Sequence, residues 1–153
     1  MSSGYSFQAS AHWAAGRRGT VAADPAAMPI EFSAPPEFRG EAGYWTPEHF
    51  LLAAVASCFV TTFRAIAELS KFDPVHLEVS AEGAVEKGEG GFAFTQVVLK
   101  PELTIHQESD RQRAMRLLEK AERSCLISRS LKAAVCLEAQ VLVDQAQWAE
   151  IVT

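Results

Sequence analysis

Cys58 and Cys125 are the side chains best suited to chemistry here, and they stand in contrasting surroundings. Cys58 lies inside the uncharged stretch Phe50-Leu-Leu-Ala-Ala-Val-Ala-Ser-Cys58-Phe-Val-Thr-Thr-Phe63. Cys125 lies in Ser124-Cys-Leu-Ile-Ser128, at the foot of a charged segment. The nucleophilic form of cysteine is the thiolate, and apolar burial disfavours it. On position alone Cys58 therefore reads as a small packing residue. Cys125, at a helix end or turn, reads as a thiol that can be reached. For Cys58 to act as a nucleophile a fixed cation must stand beside it, because mid-helix it gains nothing from the helix dipole. The candidates are Arg17 or Arg18 in Gly16-Arg-Arg-Gly19 and Arg39 in Phe38-Arg-Gly-Glu41, each of which taken singly also fits a plain surface charge.

The element that positions Cys58 announces itself. Thr46-Pro-Glu-His49 puts a hydroxyl at the N-cap, proline at the first helical position and a carboxylate in the first turn. A helix is predicted from there to about Ser70. Its apolar residues cover every face from Phe50 to Phe63, so it is expected to be hidden from solvent. A membrane span needs about 18 or more such residues, and Arg64 and Glu68 interrupt the run; the expectation is a buried core helix and no membrane association.

The 153 residues and 48% hydrophobic content fit a single domain over 1–153. A net charge of -5 and the absence of a basic stripe interleaved with aromatics argue against nucleic acid. Arg111, Arg113, Arg116, Lys120 and Arg123, mixed with Glu119 and Glu122, read as a solvated helix face. No secretory leader is visible at the start, which points to the cytoplasm, where three widely spaced cysteines do not describe a disulfide scaffold. No ligand spacing suggests zinc.

Around the helix, Tyr5 to Trp13 alternates as a half-buried strand, and Gly16-Arg-Arg-Gly19 turns it into a second. Asp24 to Trp45, with Pro25, Pro29, Pro35 and Pro36, reads as ordered loop holding one strand over Met28–Phe32. Asp73-Pro74 ends the helix; Val75 to Glu82 and Phe92 to Ile105 form a hairpin about Gly88-Glu-Gly-Gly91, interrupted or edged at Pro101. A second helix from Ser109 to about Arg123 carries the stripe Ala114, Leu117, Leu118, Ala121. A last strand runs from Ala134 to Val143, with Cys136 facing away from Val135, Leu137 and Val141 as a structural residue. The class is α+β, antiparallel sheets with helices on one face. A helix apolar all round needs more cover than one sheet gives, so a homodimer is expected.

Thr46-Pro-Glu-His-Phe-Leu-Leu-Ala-Ala-Val-Ala-Ser-Cys-Phe59 resembles the peroxidatic helix of the OsmC-like family, the family of the osmotically inducible protein C and the organic hydroperoxide resistance protein. There the pattern is Asn-Pro-Glu-x-Leu-x-x-Ala-Ala-x-Ala-x-Cys-Phe. Ser124-Cys-Leu-Ile-Ser128 resembles the second signature, Cys-Pro-x-Ser, with Leu126 in place of proline. The likeness runs from about residue 7 to 143. It implies an intertwined dimeric fold about a long buried helix and a thiol-dependent peroxidase for organic hydroperoxides, and sometimes for hydrogen peroxide. Cys58 would be the peroxidatic thiolate, Cys125 the resolving thiol, and Glu48 the family carboxylate that holds an activating arginine. Arg17 matches the arginine of one branch and Arg39 lies near that of the other; the two stay open. The resemblance implies no metal, flavin or haem cofactor, and a dithiol reductant such as lipoamide. The competing reading is a non-enzymatic carrier of apolar ligands or a redox-responsive module on the same fold. For the peroxidase, Phe38, Tyr44, Trp45 and Phe59 would line an apolar pocket for a fatty or aryl hydroperoxide, or equally be plain core.

Glu48 and Cys58 stand ten residues apart, so on one helix they are separated by roughly 15 Å along the axis. One helix does not bring them together. The expectation is a composite site, with the Cys58–Cys125 pair from one chain and Glu48 with its arginine from the partner.

Overall fold

In a computed structural model of the protein, residues 4–26 and 28–145 are described. The first three residues, part of the segment in which no leader is expected, lie outside them, as do Ala27 in the proline-rich loop and residues 146–153. The chain divides into two compact units, Met1–Leu51 and Leu52–Thr153.

The first unit is an antiparallel sheet in the order β1-β2-β3, with β1 at Ser10–Ala15, β2 at Arg18–Ala22 and β3 at Ile30–Ser33. Gly16, at φ +57°, lets the chain turn through Gly16-Arg17, as the Gly-Arg-Arg-Gly motif predicts. The alternation read over Tyr5 to Trp13 yields strand only from Ser10, and it is not half-buried: Tyr5, Phe7 and Trp13 are 89%, 93% and 79% exposed. The apolar face is real in the sequence, but nothing within the unit covers it. After β3, a 3-10 turn at Pro36–Phe38 ends in Arg39, held left-handed at φ 67°. Gly40 follows because its backbone lies against Ala34 too closely for any Cβ. Ser33 ties this loop down from a buried position: its hydroxyl donates to Ala34 O at 2.9 Å and accepts from Glu41 N at 2.9 Å.

The helix α1 spans Pro47–Leu69, starting where the N-cap signal places it. Thr46 Oγ1 accepts from His49 N at 3.1 Å, and Thr46 N donates back to His49 Nδ1 at 3.1 Å. This is a reciprocal capping box with histidine in the role that glutamate usually plays. Since a backbone N–H can only donate, Nδ1 is the acceptor and the imidazole carries its proton on Nε2.

The second unit packs α1 and α2 (Arg111–Ser124) on a mixed sheet. The strand β4, His76–Gly88, pairs antiparallel with β5, Gly91–Ile105. The final strands run parallel to β5, not antiparallel as expected, because the helical crossover returns the chain to the same end of the sheet. They are two strands where the sequence suggested one. β6, Ala134–Leu137, pairs with 96–99, and β7, Gln140–Val143, pairs with 102–105. The break explains Pro101. Expected to interrupt or edge the strand, it lies buried inside the central strand, where the gap between β6 and β7 asks no N–H of it.

The core joins Val55, Phe59, Phe63, Ile66 and Ala67 of α1 to Val97, Leu99, Leu103 and Ile105 of β5 and to the whole predicted stripe of α2, Ala114, Leu117, Leu118 and Ala121. Within one chain α1 is therefore buried along one stripe and not, as its composition suggested, all round. By length and apolarity alone it meets the measure of a membrane span, with a mean hydropathy of 1.9, a measure that soluble core helices also meet.

Candidate functional site

Spacing on α1 decides where Cys58 points. The buried stripe occupies 55, 59, 63 and 66–67, so Cys58 falls on its flank, half-buried, with Thr62 one turn further on. Cys58 Sγ and Thr62 Oγ1 lie 3.8 Å apart. On α2 the stripe 114, 118, 121 continues to 125, which carries Cys125 into the core with no exposed surface. This reverses the expectation for both thiols. Cys58, read as the hidden one, is reachable, and Cys125, read as reachable, is enclosed.

The chain leaves α2 at Cys125 in an extended conformation, φ -66° and ψ 115°, and at once starts the short helix α3, Leu126–Arg129. The first N–H groups of a helix have no partner inside it. Those of Ile127 and Leu126 favour the ionised form of Cys58. Burial pushes the Cys58 thiol up. The donors at its sulfur, Ile127 N–H, the Cys125 thiol, the Thr62 hydroxyl and Leu126 N–H, outweigh burial and hold it below the ordinary range. The sequence held a signal for this backbone contribution, which acts beside any cation: residues 125–128 begin a helix, and Leu126, unlike proline, keeps an N–H.

Cys125 is moved the opposite way. Burial raises it first, and the neighbouring Cys58 raises it further, against the pull of the Ser128 hydroxyl and amide. Ser128 Oγ is itself buried and has no partner at ordinary hydrogen-bond distance among the described residues. The result is one thiol that ionises early beside one that holds its proton and can donate it. The pair can attack an electrophile through Cys58 and then close on itself through Cys125.

The remaining predicted site residues lie in the first unit or at its end. Arg17 is exposed in the β1–β2 turn, and Arg39 is exposed at the end of the 3-10 turn. Their neighbour Arg18 is engaged, donating to Tyr44 Oη at 3.1 Å and standing 3.5 Å from the Glu41 carboxylate. Glu48, in the first turn of α1, has a buried Oε2 with no hydrogen-bond partner among the described residues. Of the aromatics considered as pocket lining, Phe59 is fully buried core, and Trp45 stacks on Phe50 with ring centroids 5.5 Å apart. Cys136 is exposed on β6, as its strand position predicts, and accepts from Gln96 Nε2 at 3.4 Å.

The mixed α+β fold thus brings two thiols of opposite tuning under each other's influence. Residues 40–140 match the family model described as OsmC-like protein, and the chain belongs to that family. It is 29% identical over 137 residues to the peroxiredoxin OsmC of Escherichia coli (strain K12), covering 86% of this chain and 93% of the relative. It is 28% identical over 140 residues to the uncharacterized protein YmaD of Bacillus subtilis (strain 168), at 90% and 93% coverage. Among solved structures it resembles the Legionella pneumophila organic hydroperoxide resistance protein OsmC, described as a predicted redox protein and regulator of sulfide bond formation. The TM-score is 0.74 at 26% identity, over 93% of this chain and 100% of that one.

Proposed function

We propose that this protein is a cysteine-based peroxidase that reduces organic hydroperoxides, with Cys58 as nucleophile and Cys125 as resolving thiol. The observation that carries the reading is that the two thiols act on each other and are tuned apart, Cys58 held below its ordinary pKa and Cys125 above it. In the first step the Cys58 thiolate attacks one oxygen of the O–O bond. The bond breaks, an alcohol leaves with a proton, and Cys58 becomes a sulfenic acid. Cys125 then attacks that sulfur, water leaves, and a Cys58–Cys125 disulfide remains. The chemistry is two-electron throughout and needs no metal, flavin or haem. A dithiol such as lipoamide reopens the disulfide.

An arginine, Arg17 or Arg39, orients the peroxide and is held by Glu48. The buried, unpartnered Glu48 Oε2 supports a guanidinium at that place. The apolar surface of α1 that its own chain leaves uncovered, and the exposed apolar side chains of the first sheet, support a homodimer. The family match runs across the boundary between the two units, which supports reading 1–153 as one domain.

Counting free thiols before and after a slight excess of cumene hydroperoxide tests the reading. Two of the three cysteines should be lost together, with Cys136 retained. Loss of none, with the peroxide unconsumed, would leave a carrier or binding module on the same fold.

A further inference from the structure

Two neighbouring threonines follow Cys58 on α1, and they use their hydroxyls differently. Thr61 Oγ1 donates back to Cys58 O at 3.0 Å, the local bond that a helical threonine commonly makes. In the continuous helix Cys58 O also accepts from the N–H of Thr62, four residues on. Both lone pairs of that carbonyl are therefore taken. Thr62 Oγ1 has the Cys58 sulfur, at 3.8 Å, as its one hydrogen-bonding neighbour among the described residues. Helical Cα–Cβ bonds tilt toward the N-terminus, so the Thr62 side chain leans back over the turn that carries Cys58. Both residues are half-buried on the flank of the core stripe.

An ionised sulfur can only accept, so opposite the Cys58 thiolate the Thr62 hydroxyl is the donor, in keeping with its lowering of that thiol. The oxygen keeps its lone pairs for a second molecule. An oxygen that donates to Oγ1 at about 2.8 Å can at the same time stand about 3–3.5 Å from Sγ, the separation of atoms about to react. The two spans close a triangle on the 3.8 Å between Oγ1 and Sγ.

We propose that Thr62 is the peroxide-positioning residue of this site: its hydroxyl donates to Cys58 Sγ and accepts the O–H of the incoming hydroperoxide, which sets the terminal oxygen beside the sulfur. The proposal rests on the peroxidase reading above and adds to it a substrate contact from the same helix turn as the nucleophile. The thiolate forms a bond to the terminal oxygen while the O–O bond breaks, and the electron pair leaves on the alkyl-bearing oxygen. That oxygen takes a proton from water and departs as the alcohol, leaving hydroxide. The transferred oxygen keeps its own hydrogen as the sulfenic acid, the sulfur is oxidised by two electrons and the peroxide is reduced by two. Thr62 ends the step with the proton it began with.

The experiment sets two electrophiles against one nucleophile. Loss of the free Cys58 thiol is followed by rapid quench and peptide mapping, with cumene hydroperoxide and with methyl methanethiosulfonate, which has no O–H or N–H to offer Thr62. Each variant is compared at the pH where its own methanethiosulfonate profile has reached a plateau, so that ionisation of Cys58 is complete in all. Thr62→Val keeps the branched shape and removes the hydroxyl. It should slow the hydroperoxide reaction roughly tenfold, about the worth of one hydrogen bond to a reacting group, and leave the methanethiosulfonate reaction within about twofold of wild type. Thr62→Ala should match valine, which keeps the test valid if one of the two folds poorly, and Thr62→Ser should restore most of the hydroperoxide rate. Equal slowing of both electrophiles, slowing of neither, or a serine variant as slow as alanine overturns the positioning role alone. A wild-type protein that forms no sulfenic acid with cumene hydroperoxide, judged by dimedone trapping in the Cys125→Ser variant, overturns this proposal together with the reading beneath it.

Discussion

The backbone N–H of Leu126 is among the groups that lower the pKa of Cys58, at the position where the related signature carries a proline that has no N–H to give. The thiolate here thus gains a backbone donor that the Cys-Pro-x-Ser pattern would remove. Leu126→Pro tests this with little risk to the fold. Residue 126 is the first of α3, where proline is favoured, and Cys125 already holds the extended conformation required before a proline. Iodoacetamide alkylation of Cys58 near neutral pH should slow by a few-fold, with the thermal midpoint nearly unchanged. An unaltered alkylation profile would remove Leu126 from the set of donors that matter.

The opposite tuning of the two thiols has a pH signature. Alkylation followed by mass spectrometry should show Cys58 becoming reactive below the range of an ordinary thiol and Cys125 above it. The stability signs follow. Cys58, lowered by folding, contributes stability that is present above its unfolded pKa and is lost as pH falls through its folded value. Cys125, raised by folding, contributes stability that is present below its unfolded pKa and is lost as pH rises through its folded value. Cys58→Ser should abolish peroxide consumption. Cys125→Ser should still form a sulfenic acid, trappable with dimedone, and close no disulfide. Cys136→Ser should keep most activity. The reverse order of reactivity would assign the nucleophile to the other cysteine.

Arg39 carries a conformational cost that lets its structural and chemical roles be separated. A non-glycine residue at φ 67° is strained by about 1–2 kcal/mol. Arg39→Gly relieves that strain at some cost in unfolded-state entropy, so stability should hold or rise by up to about 1 kcal/mol. If Arg39 activates Cys58, alkylation and peroxide turnover should fall in this better-folded protein, while Arg17→Ala leaves them near wild type. The opposite pattern gives the role to Arg17, and unchanged kinetics in both variants dismiss the two together.

The helix boundaries were legible in the sequence where local chemistry decides them. Thr46-Pro-Glu-His49 marks the start of α1, and the 3.6-residue spacing of Ala114, Leu117, Leu118 and Ala121 finds the buried face of α2. Extending that spacing one more turn would also have found Cys125 buried. What was not legible depends on pairing between distant strands: the parallel placement of β6 and β7, and the break between them that accommodates Pro101. In the candidate site, the two cysteines could be named from sequence because their surroundings differ in kind. The backbone contribution to Cys58 tuning could not, since N–H groups leave no mark in a composition and are placed only by the turn between α2 and α3.

The last prediction concerns Glu48. A buried carboxylate oxygen without a partner is costly and calls for a donor. On a helix the ten residues from Glu48 to Cys58 span roughly 15 Å, which one guanidinium does not bridge with ease. If two copies pack through the apolar surface that α1 leaves uncovered, Glu48 and its arginine from one chain can serve Cys58 of the other. Cys58→Ser and Glu48→Ala chains, each inactive alone, should then complement when refolded together. Half of a random equimolar mixture is heterodimer, and each heterodimer holds one intact site of two, so activity should return to roughly a quarter of wild type. A mixture shown by mass to contain heterodimers, yet without recovered turnover, would mean that each site is completed within its own chain.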